Sequence, residues 1–485
     1  MNMNQSVIDQ TIKYFKNKGI ILPKISELRN PHSINKDIQN KLELININDT
    51  NPLNLFRVHW YNNLNQTQFA KIPEFIVLPS EFTGVDAKII VNIGKLFPLI
   101  SAHKVLPAYA CILPRLLRGE FDYTNDKAVW PSTGNYCRGG VAISKILGLD
   151  SIAILPEGMS RERFNWLEKW LSNSKNIIKT SGTESNVKEI YDACNNLAKD
   201  PKNKIINQFT EYNNYSVHRS VTGPSFEDSF LKFKGNTNLV PKLYVAASGS
   251  SGTLGAGDYL KEKFNLSIAA VEPIECSTML DNGYGDHNIQ GIGDKHIPLI
   301  HNVMNTDFVV AVSDKATNNL NILFNTEIGH KYLLKVNGYD KKFVEKLPNF
   351  GFSSIANIIA SIKLAKYMKL SSEDAIITVA TDGSDLYETE LDKSLCEFDG
   401  KFNFNSCENI FNKFFKSLDT DNMLELSEFD KNRIFNLGYY TWVEQQGISI
   451  EEFDIRRSQK FWDNKYNEFL DLDNEIDIFN SSILS

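Results

Sequence analysis

Residues 246–257, AASGSSGTLGAG, form a loop of small residues between an apolar run at 243–247 and the helical pattern GDYLKEKF. Such a loop exposes backbone amides and the positive end of the helix dipole, and this arrangement binds phosphate. No GK[ST] follows, and the glycines lack the spacing of a dinucleotide fingerprint. The segment therefore predicts a site for a phosphorylated small molecule, with an ordinary strand-to-helix turn as the alternative.

A second small, polar loop, WPSTGNYCRGG at residues 130–140, precedes a probable helix. Ser132 and Thr133 supply hydroxyl groups, Asn135 supplies a side-chain amide, and several backbone amides are free to bind a carboxylate. The loop suits an anion together with one amide contact, although an ordinary helix N-cap turn is the alternative.

Lys104 begins an apolar helical run, ISAHKVLPAYACILPRLLR at residues 100–118. Partial burial would lower its pKa and favour the neutral amine that Schiff-base chemistry requires, whereas most lysines at helix starts are simply solvated. Lys88 and Lys95 are the competing lysines. Pro107 and Pro114 are expected to interrupt the helix.

The elements that must position these residues alternate between short β-branched runs and longer helical patterns, which indicates an α/β fold with parallel sheets. The segment before residue 82 contains many turn-forming residues and predicts an irregular extension, and the segment after residue 395 predicts a helical tail. Eight strands are expected, at residues 88–93, 151–155, 176–179, 204–209, 242–247, 267–271, 308–312 and 375–380.

The composition limits the possible partners. The 485 residues carry a net charge of -7, which disfavours nucleic acid and membrane surfaces and favours a small molecule. The six cysteines have no CxxC spacing, so neither disulfides nor a metal site is expected. The N-terminus lacks an apolar signal core, and no long apolar run occurs, so a cytoplasmic protein is expected.

Taken in order, the three segments resemble the fold-type II pyridoxal-phosphate enzymes, the superfamily of tryptophan synthase β, cysteine synthase and cystathionine β-synthase. In that family a TSGN-like loop follows the cofactor lysine, and here Asn135 follows Lys104 by 135 − 104 = 31 positions. A GTGGT-like phosphate loop follows, similar to GSSGT at 249–253. LPEGMSRERFNWL, IQGIG and GFSSIAN resemble cysteine synthase motifs, and the resemblance spans about residues 88–391.

The resemblance implies pyridoxal 5'-phosphate as cofactor and a role for each matching residue. Lys104 would carry the cofactor and act as base, Asn135 would bind its ring hydroxyl, and Ser353 would face its pyridine nitrogen. The phosphate would lie on Gly249, Ser250, Ser251, Gly252 and Thr253. The substrate carboxylate would lie on Ser132, Thr133 and Gln208.

The activity implied is β-replacement or β-elimination on an amino acid, through an external aldimine and an aminoacrylate. A serine/threonine dehydratase or diamino-acid ammonia-lyase, and an inactive cofactor-binding regulatory homologue, are the alternatives. The implied fold has two three-layer parallel-sheet domains, at residues 76–221 and 222–395, between extensions at 1–75 and 396–485. The family also implies a homodimer.

Overall fold

The structure, a computed structural model, describes residues 4–485. Most of its strands are apolar and buried along nearly their whole length, which is typical of parallel sheets covered on both faces. The strands are β1 (Phe75–Leu78), β2 (Lys88–Ile93), β3 (Lys127–Pro131), β4 (Asp150–Pro156), β5 (Ile177–Thr180), β6 (Asn203–Ile205), β7 (Val240–Ala247), β8 (Ser267–Pro273), β9 (Phe308–Val312), β10 (Asp374–Ala380) and β11 (Met423–Glu425).

Helices follow most strands and cover the sheets. The α-helices are α1 (Gln5–Lys18), α2 (Ile25–Arg29), α3 (Lys36–Leu42), α4 (Ser80–Thr83), α5 (Val105–Leu117), α6 (Asn135–Leu147), α7 (Arg161–Trp170), α8 (Val187–Leu197), α9 (Tyr212–Val217), α10 (Gly223–Lys234), α11 (Leu254–Phe264), α12 (Thr278–Asp281), α13 (Asp314–Asn325), α14 (Glu327–Lys335), α15 (Lys341–Val344), α16 (Phe352–Tyr367), α17 (Glu388–Cys396), α18 (Phe404–Phe411), α19 (Glu428–Tyr439), α20 (Ile450–Asp454), α21 (Gln459–Leu470) and α22 (Leu472–Leu484).

The strands form two sheets, and this confirms the predicted α/β class with parallel sheets. The larger sheet has the order β1-β2-β10-β7-β8-β9-β11, in which β1 and β11 are antiparallel edge strands and the five inner strands are parallel. The smaller sheet has the order β5-β4-β3-β6 and is parallel throughout. Apolar clusters fill both faces of the larger sheet.

Sheet membership does not follow chain order. Strands β1 and β2 belong to the larger sheet, where β2 pairs with β10, although they precede the smaller sheet in the sequence. The boundary predicted between residues 221 and 222 therefore separates β1 and β2 from strands with which they share a sheet. The three predicted boundaries, near residues 76, 222 and 396, themselves remain a prediction.

All eight predicted strands overlap observed ones. The strand predicted at residues 204–209 ends early, because β6 stops at Ile205 and residues 206–209 leave the sheet. Strands β1, β3 and β11 were not predicted. They are short, and β3 ends in Trp130 and Pro131, so their alternation is too brief to identify from the sequence.

The prediction that two prolines interrupt the helix after Lys104 was wrong. Helix α5 runs unbroken from Val105 to Leu117. Pro107 lies in the first turn, where backbone amides have no partner within the helix. Pro114 removes one interior bond, and the side-chain amide of Asn213 donates to the Ala110 carbonyl, four residues before Pro114, at 3.4 Å.

The N-terminal extension is only partly irregular, because α1, α2 and α3 lie within it. It packs against the C-terminal extension, where the Phe15 and Phe479 rings lie 5.8 Å apart. The Asn480 side chain accepts a hydrogen bond from the Leu22 amide and donates one to the Leu22 carbonyl. The Tyr109 hydroxyl of α5 donates to the Pro23 carbonyl at 2.7 Å. The two extensions therefore support the helix that begins beside Lys104.

Three observations concern membrane, metal and redox chemistry. Within residues 4–485 no helix is both long and apolar enough to cross a bilayer. The same part of the chain holds no group of three or more His, Cys, Asp or Glu side chains suited to a metal ion. All six cysteines are free thiols, and Cys396 alone is exposed.

Candidate active site

One cavity, with about 530 Å³ of empty space, is lined by loops that follow strands of both sheets. The carboxyl ends of parallel strands are where α/β folds bind ligands. Ten of the eleven predicted site residues line it: Lys104, Ser132, Thr133, Asn135, Gln208, Gly249, Ser250, Ser251, Thr253 and Ser353. Gly252 does not, because this position of the loop packs against the Asn214 side chain.

Lys104 occupies the N-cap position of α5, and its amine lies inside the cavity. The Nζ atom donates to Gln208 Oε1 and to Ser250 Oγ, each at 3.2 Å. Burial lowers the pKa of the amine from 10.5 to about 8, although the charge of Asp294 opposes the shift. A neutral, nucleophilic amine is therefore much more accessible here than at an ordinary lysine.

The loop before Lys104 has an unusual backbone. Leu99 and Ser101 adopt φ values of +70° and +51°, which residues other than glycine seldom do. Ala102 forms an antiparallel bridge with Asp382, and the His103 amide donates to the Thr381 carbonyl at 3.3 Å. These contacts fix the start of α5 against the end of β10.

The two competing lysines point elsewhere. Lys88 donates to Ser80 Oγ at 3.3 Å, and Lys95 forms an ion pair with Asp385 at 2.9 Å. Neither lysine lines the cavity. The geometry therefore favours Lys104 among the three.

The loop at residues 249–253 connects β7 to the N-terminus of α11. Within the described chain, none of its five backbone amides donates to another group of the protein. A Cβ atom on Gly249 would overlap the Gly291 carbonyl, and one on Gly252 would overlap Asn214, so both positions require glycine. Ser251 has φ +65° and is held by its hydroxyl contact with Ser248 at 2.8 Å. Free amides and a helix N-terminus suit a phosphate.

The loop between β3 and α6 contains two of the three predicted carboxylate-binding residues, and the third, Gln208, follows β6. Ser132 Oγ accepts from the Gly134 amide at 3.0 Å and from the Gln208 amide at 3.4 Å. Gln208 therefore connects Ser132 to the amine of Lys104. Gly134 has φ +150°, and a Cβ there would overlap the Arg163 side chain. The first amides of α6 have no partner within the helix and remain available to an anion.

Asn135 lines the cavity, but its side chain already has protein partners. Its Nδ2 donates to Asp382 Oδ2 at 2.6 Å, and its Oδ1 accepts from Arg138 at 2.9 Å. The Tyr387 hydroxyl donates to the same Asp382 oxygen at 2.9 Å, and burial raises the pKa of Asp382. The amide keeps one further N–H, so its predicted contact with a ring hydroxyl remains a prediction.

Ser353 lies in the first turn of α16, where its hydroxyl bonds Thr381 Oγ1 at 3.0 Å. Both residues line the cavity. The hydroxyl is a neutral partner for whatever group faces it. Its predicted position opposite a pyridine nitrogen remains a prediction.

Several cavity residues were absent from the predicted site. Gln290 belongs to the IQGIG motif, which was recognised but assigned no role, and Thr381 and Asp382 directly follow β10. His103 also lines the cavity, and burial lowers its pKa to about 3, so it is a neutral wall residue. The remaining ones are Gly291 and Ile292 of the same IQGIG motif, Tyr136 beside Asn135, and Ala247 at the end of β7, and none of them was assigned a role.

These residues fit pyridoxal 5'-phosphate, the cofactor that the resemblance implies. The loop at residues 249–253 offers five free backbone amides, and its two glycines leave space that a Cβ atom would fill. Together they provide a cradle for the cofactor phosphate. A partly neutral lysine amine lies in the same cavity and is bonded to Ser250 of that cradle. The phosphate and aldehyde ends of the cofactor thus have matching partners within one site.

Known proteins with similar sequences are cysteine synthases. Cysteine synthase B of Campylobacter jejuni is 28% identical over 254 residues, which cover 51% of this chain and 74% of that protein. A Staphylococcus aureus cysteine synthase is 28% identical over 277 residues, with 56% and 78% covered.

Solved structures share the fold at lower identity. An O-acetylserine dependent cystathionine beta-synthase from Helicobacter pylori has a TM-score of 0.53 at 22% identity, covering 66% of this chain and 95% of that one. A cysteine synthase from Entamoeba histolytica has a TM-score of 0.54 at 20% identity, covering 70% and 93%. Residues 96–318 match the family described as pyridoxal-phosphate dependent enzyme. This region is therefore similar to the pyridoxal-phosphate dependent enzymes, which agrees with the predicted cofactor.

Proposed function

We propose that the protein catalyses β-replacement on an amino acid that carries a leaving group on Cβ, as a cysteine synthase does. One observation carries the proposal: the Lys104 amine, the phosphate cradle and the loop at the start of α6 line a single cavity. The similarity to cysteine synthases supports the same reaction class. The alternative of an inactive, cofactor-binding homologue would not need a lysine whose pKa is lowered by burial.

When bound, pyridoxal phosphate supplies an electron sink for negative charge at the substrate Cα. The phosphate would lie on the amides of residues 249–253, and Lys104 would hold the cofactor covalently. Ser353 would face the pyridine nitrogen. A neutral hydroxyl there makes a weaker sink than a carboxylate would, which favours elimination at Cβ over transamination.

Lys104 would serve a second time as the base. When it is not bonded to the cofactor, its Nζ would accept the proton from the substrate Cα, since a pKa of about 8 lies near neutral pH. Gln208 and Ser250 both bond Nζ and would hold it during this transfer. After the leaving group has departed from Cβ and the nucleophile has bonded there, the same Nζ would return the proton to Cα.

The substrate carboxylate would bind where Ser132, Thr133 and Gln208 meet the N-terminus of α6. Loop amides and side-chain donors together fix its orientation. The contact between Ser132 and Gln208 connects this anion site to the catalytic amine. Substrate binding and base positioning therefore depend on the same side chain, Gln208.

The four predicted domains, a homodimer and a cytoplasmic location are further parts of the proposal. The free thiols are consistent with a reducing compartment. Light scattering on the purified protein would test the dimer. A particle of about 55 kDa, the mass of one chain, would contradict it.

The decisive experiment supplies the holoenzyme with O-acetylserine and follows product with and without sulfide. A new amino acid that forms only with the nucleophile is the expected result. Release of ammonia and a keto acid, unaffected by nucleophile, would instead identify a dehydratase or ammonia-lyase. No turnover of O-acetylserine, serine, threonine or 2,3-diaminopropionate would contradict both.

A further inference from the structure

The side-chain amide of Asn135 lines the cavity, and a buried charged group contacts each of its two ends. Its oxygen accepts from Arg138 Nη1 at 2.9 Å, and its nitrogen donates to Asp382 Oδ2 at 2.6 Å. A guanidinium can only donate hydrogen bonds, and an ionised carboxylate can only accept them. Each partner therefore dictates which end of the amide faces it, and the two requirements agree.

Arg138 is fixed by its other contacts. Its side chain is 2% exposed, and its second terminal nitrogen donates to the Ile100 carbonyl at 3.2 Å. The guanidinium lies over the Trp166 ring, 5.0 Å from the ring centre. Burial lowers its pKa to about 10, so the group is still a cation at neutral pH. Arg138 is therefore a charged donor with a defined position.

Asp382 is fixed as well. The oxygen that accepts from Asn135 also accepts from the Tyr387 hydroxyl at 2.9 Å, and Arg163 Nη2 lies 3.9 Å from it. A Cβ atom on Gly351 would overlap the other carboxyl oxygen, so glycine leaves the space that the carboxyl group occupies. Burial raises the pKa of Asp382, whereas the charge of Arg163 and the two hydrogen-bond donors oppose the rise.

A reversed Asn135 amide would be strongly disfavoured. Its N–H groups would meet the guanidinium and its oxygen would meet the carboxylate, so two charge-assisted hydrogen bonds would be replaced by contacts between like groups. The amide nitrogen carries two hydrogens, and Asp382 accepts one of them. Within residues 4–485 no protein group accepts the other. The cavity is therefore offered one N–H donor by Asn135 and not its oxygen.

We propose that Arg138 and Asp382 are positioning residues that fix the orientation of the Asn135 amide, so that the site binds the cofactor with its ring oxygen ionised. This inference rests on the proposed function, in which Asn135 faces the ring hydroxyl of pyridoxal phosphate. An N–H donor stabilises an oxygen anion more than a neutral hydroxyl group. The same donor disfavours a ring substituent that is itself a donor.

The other titratable groups nearby do not replace these two. Tyr387 and His103 are neutral at neutral pH, because burial raises the pKa of the phenol and lowers that of the imidazole. Asp385 forms an ion pair with Lys95 at 2.9 Å. The Lys104 amine shares the cavity but has its own hydrogen-bond partners. The charges bonded directly to the amide are one cation and one anion.

The test uses 4'-deoxypyridoxine 5'-phosphate, which lacks the aldehyde and cannot react with Lys104. Its absorbance reports whether the ring hydroxyl is ionised, so a pH titration of the probe bound to the cofactor-free protein gives the acid dissociation constant of that hydroxyl. Arg138→Gln and Asp382→Asn each replace a charged group by an amide that can donate or accept. Each single variant keeps one charged partner that still orients Asn135, whereas the double variant lets the amide turn.

The double variant should lower the acid dissociation constant of the bound probe by about tenfold or more, as expected when an anion loses a hydrogen bond. It removes one positive and one negative charge. If Arg138 and Asp382 acted only through their charges, the effects of the single variants would add up in the double variant. Additive effects would overturn the proposal.

Arg456→Gln is the matched control. Arg456 is also 2% exposed, donates to a backbone carbonyl and lies over an aromatic ring, but it does not line the cavity. This variant should keep the parent dissociation constant. A tenfold fall in the control as well would show that loss of any buried arginine has this effect, and it would overturn the proposal.

Asn135→Leu separates the inference from the contact on which it depends. Leucine has a similar size and no N–H group, so this variant should lower the dissociation constant as far as the double variant does. No change would refute the contact between Asn135 and the ring oxygen, and the inference with it. A fall in Asn135→Leu together with additive effects of the other two substitutions would refute only the positioning role.

A further measurement needs the parent protein alone. An analogue of the probe with an amino group in place of the ring hydroxyl presents an N–H group to the N–H of Asn135. It should bind about tenfold more weakly or worse than the hydroxyl probe. Equal affinity would show that the amide turns, and it would overturn the proposal even if the variants do not fold. These readouts do not require turnover, so failure of the β-replacement assay would leave the inference standing.

Discussion

The lowered pKa of Lys104 predicts how the cofactor-free protein captures pyridoxal phosphate as pH changes. With a pKa of about 8 instead of 10.5, the neutral fraction of the amine at pH 7 is about one in ten rather than about one in 3000. Capture should therefore be roughly 300-fold faster than for an ordinary lysine that reacts equally well when neutral. The rate should rise to about pH 8 and then level off.

Stopped-flow absorbance on the cofactor-free protein measures this rate between pH 6 and 10. Nα-acetyl-lysine under the same conditions corrects for the titration of the cofactor itself. Lys104→Ala should lose covalent capture altogether while its phosphate cradle still binds the cofactor weakly, which borohydride trapping and fluorescence would distinguish.

A capture rate that continues to rise up to pH 10 would show that the amine is not desolvated. Capture retained in Lys104→Ala would move the role to Lys88 or Lys95. Either result would refute the reasoning from the geometry of the cavity.

Three further predictions concern the cradle, a helix and the extensions. Gly249→Ala should weaken cofactor affinity, measured by fluorescence titration, by about tenfold or more, because the new Cβ overlaps a backbone carbonyl. Gly438→Ala is the control: its Cβ meets nothing closer than 3.3 Å, and it should leave the cofactor affinity unchanged. Asn213→Ala should lower the free energy of unfolding in urea by about 1 kcal/mol, because it uncovers the carbonyl left free in α5; no change would show that water replaces the amide. Phe15→Ala should lower the free energy of unfolding in the same assay by about 3–5 kcal/mol. Tyr284→Ala is the control, because Tyr284 is 82% exposed and its loss should change the free energy of unfolding very little. Equal effects of the two substitutions would contradict packing of the two extensions.

The sequence alone was sufficient for features that depend on local pattern. Buried parallel strands are continuous apolar runs, so eight of them were found from the sequence. The distance from Lys104 to Asn135 and the order of the loops are linear properties of the chain. They identified a pyridoxal-phosphate enzyme and a set of residues of which all but Gly252 line one cavity.

Other features exist only once distant segments meet. Strand β2 joins β10 across 286 positions, as the bond from Asn92 to Thr378 shows, and no local period encodes that pairing. The same holds for the Asn213 amide that completes α5. Glu184 and Asp294 read as ordinary loop acids in sequence. Only folding buries both side chains, since burial and the loss of water are properties of the packed structure.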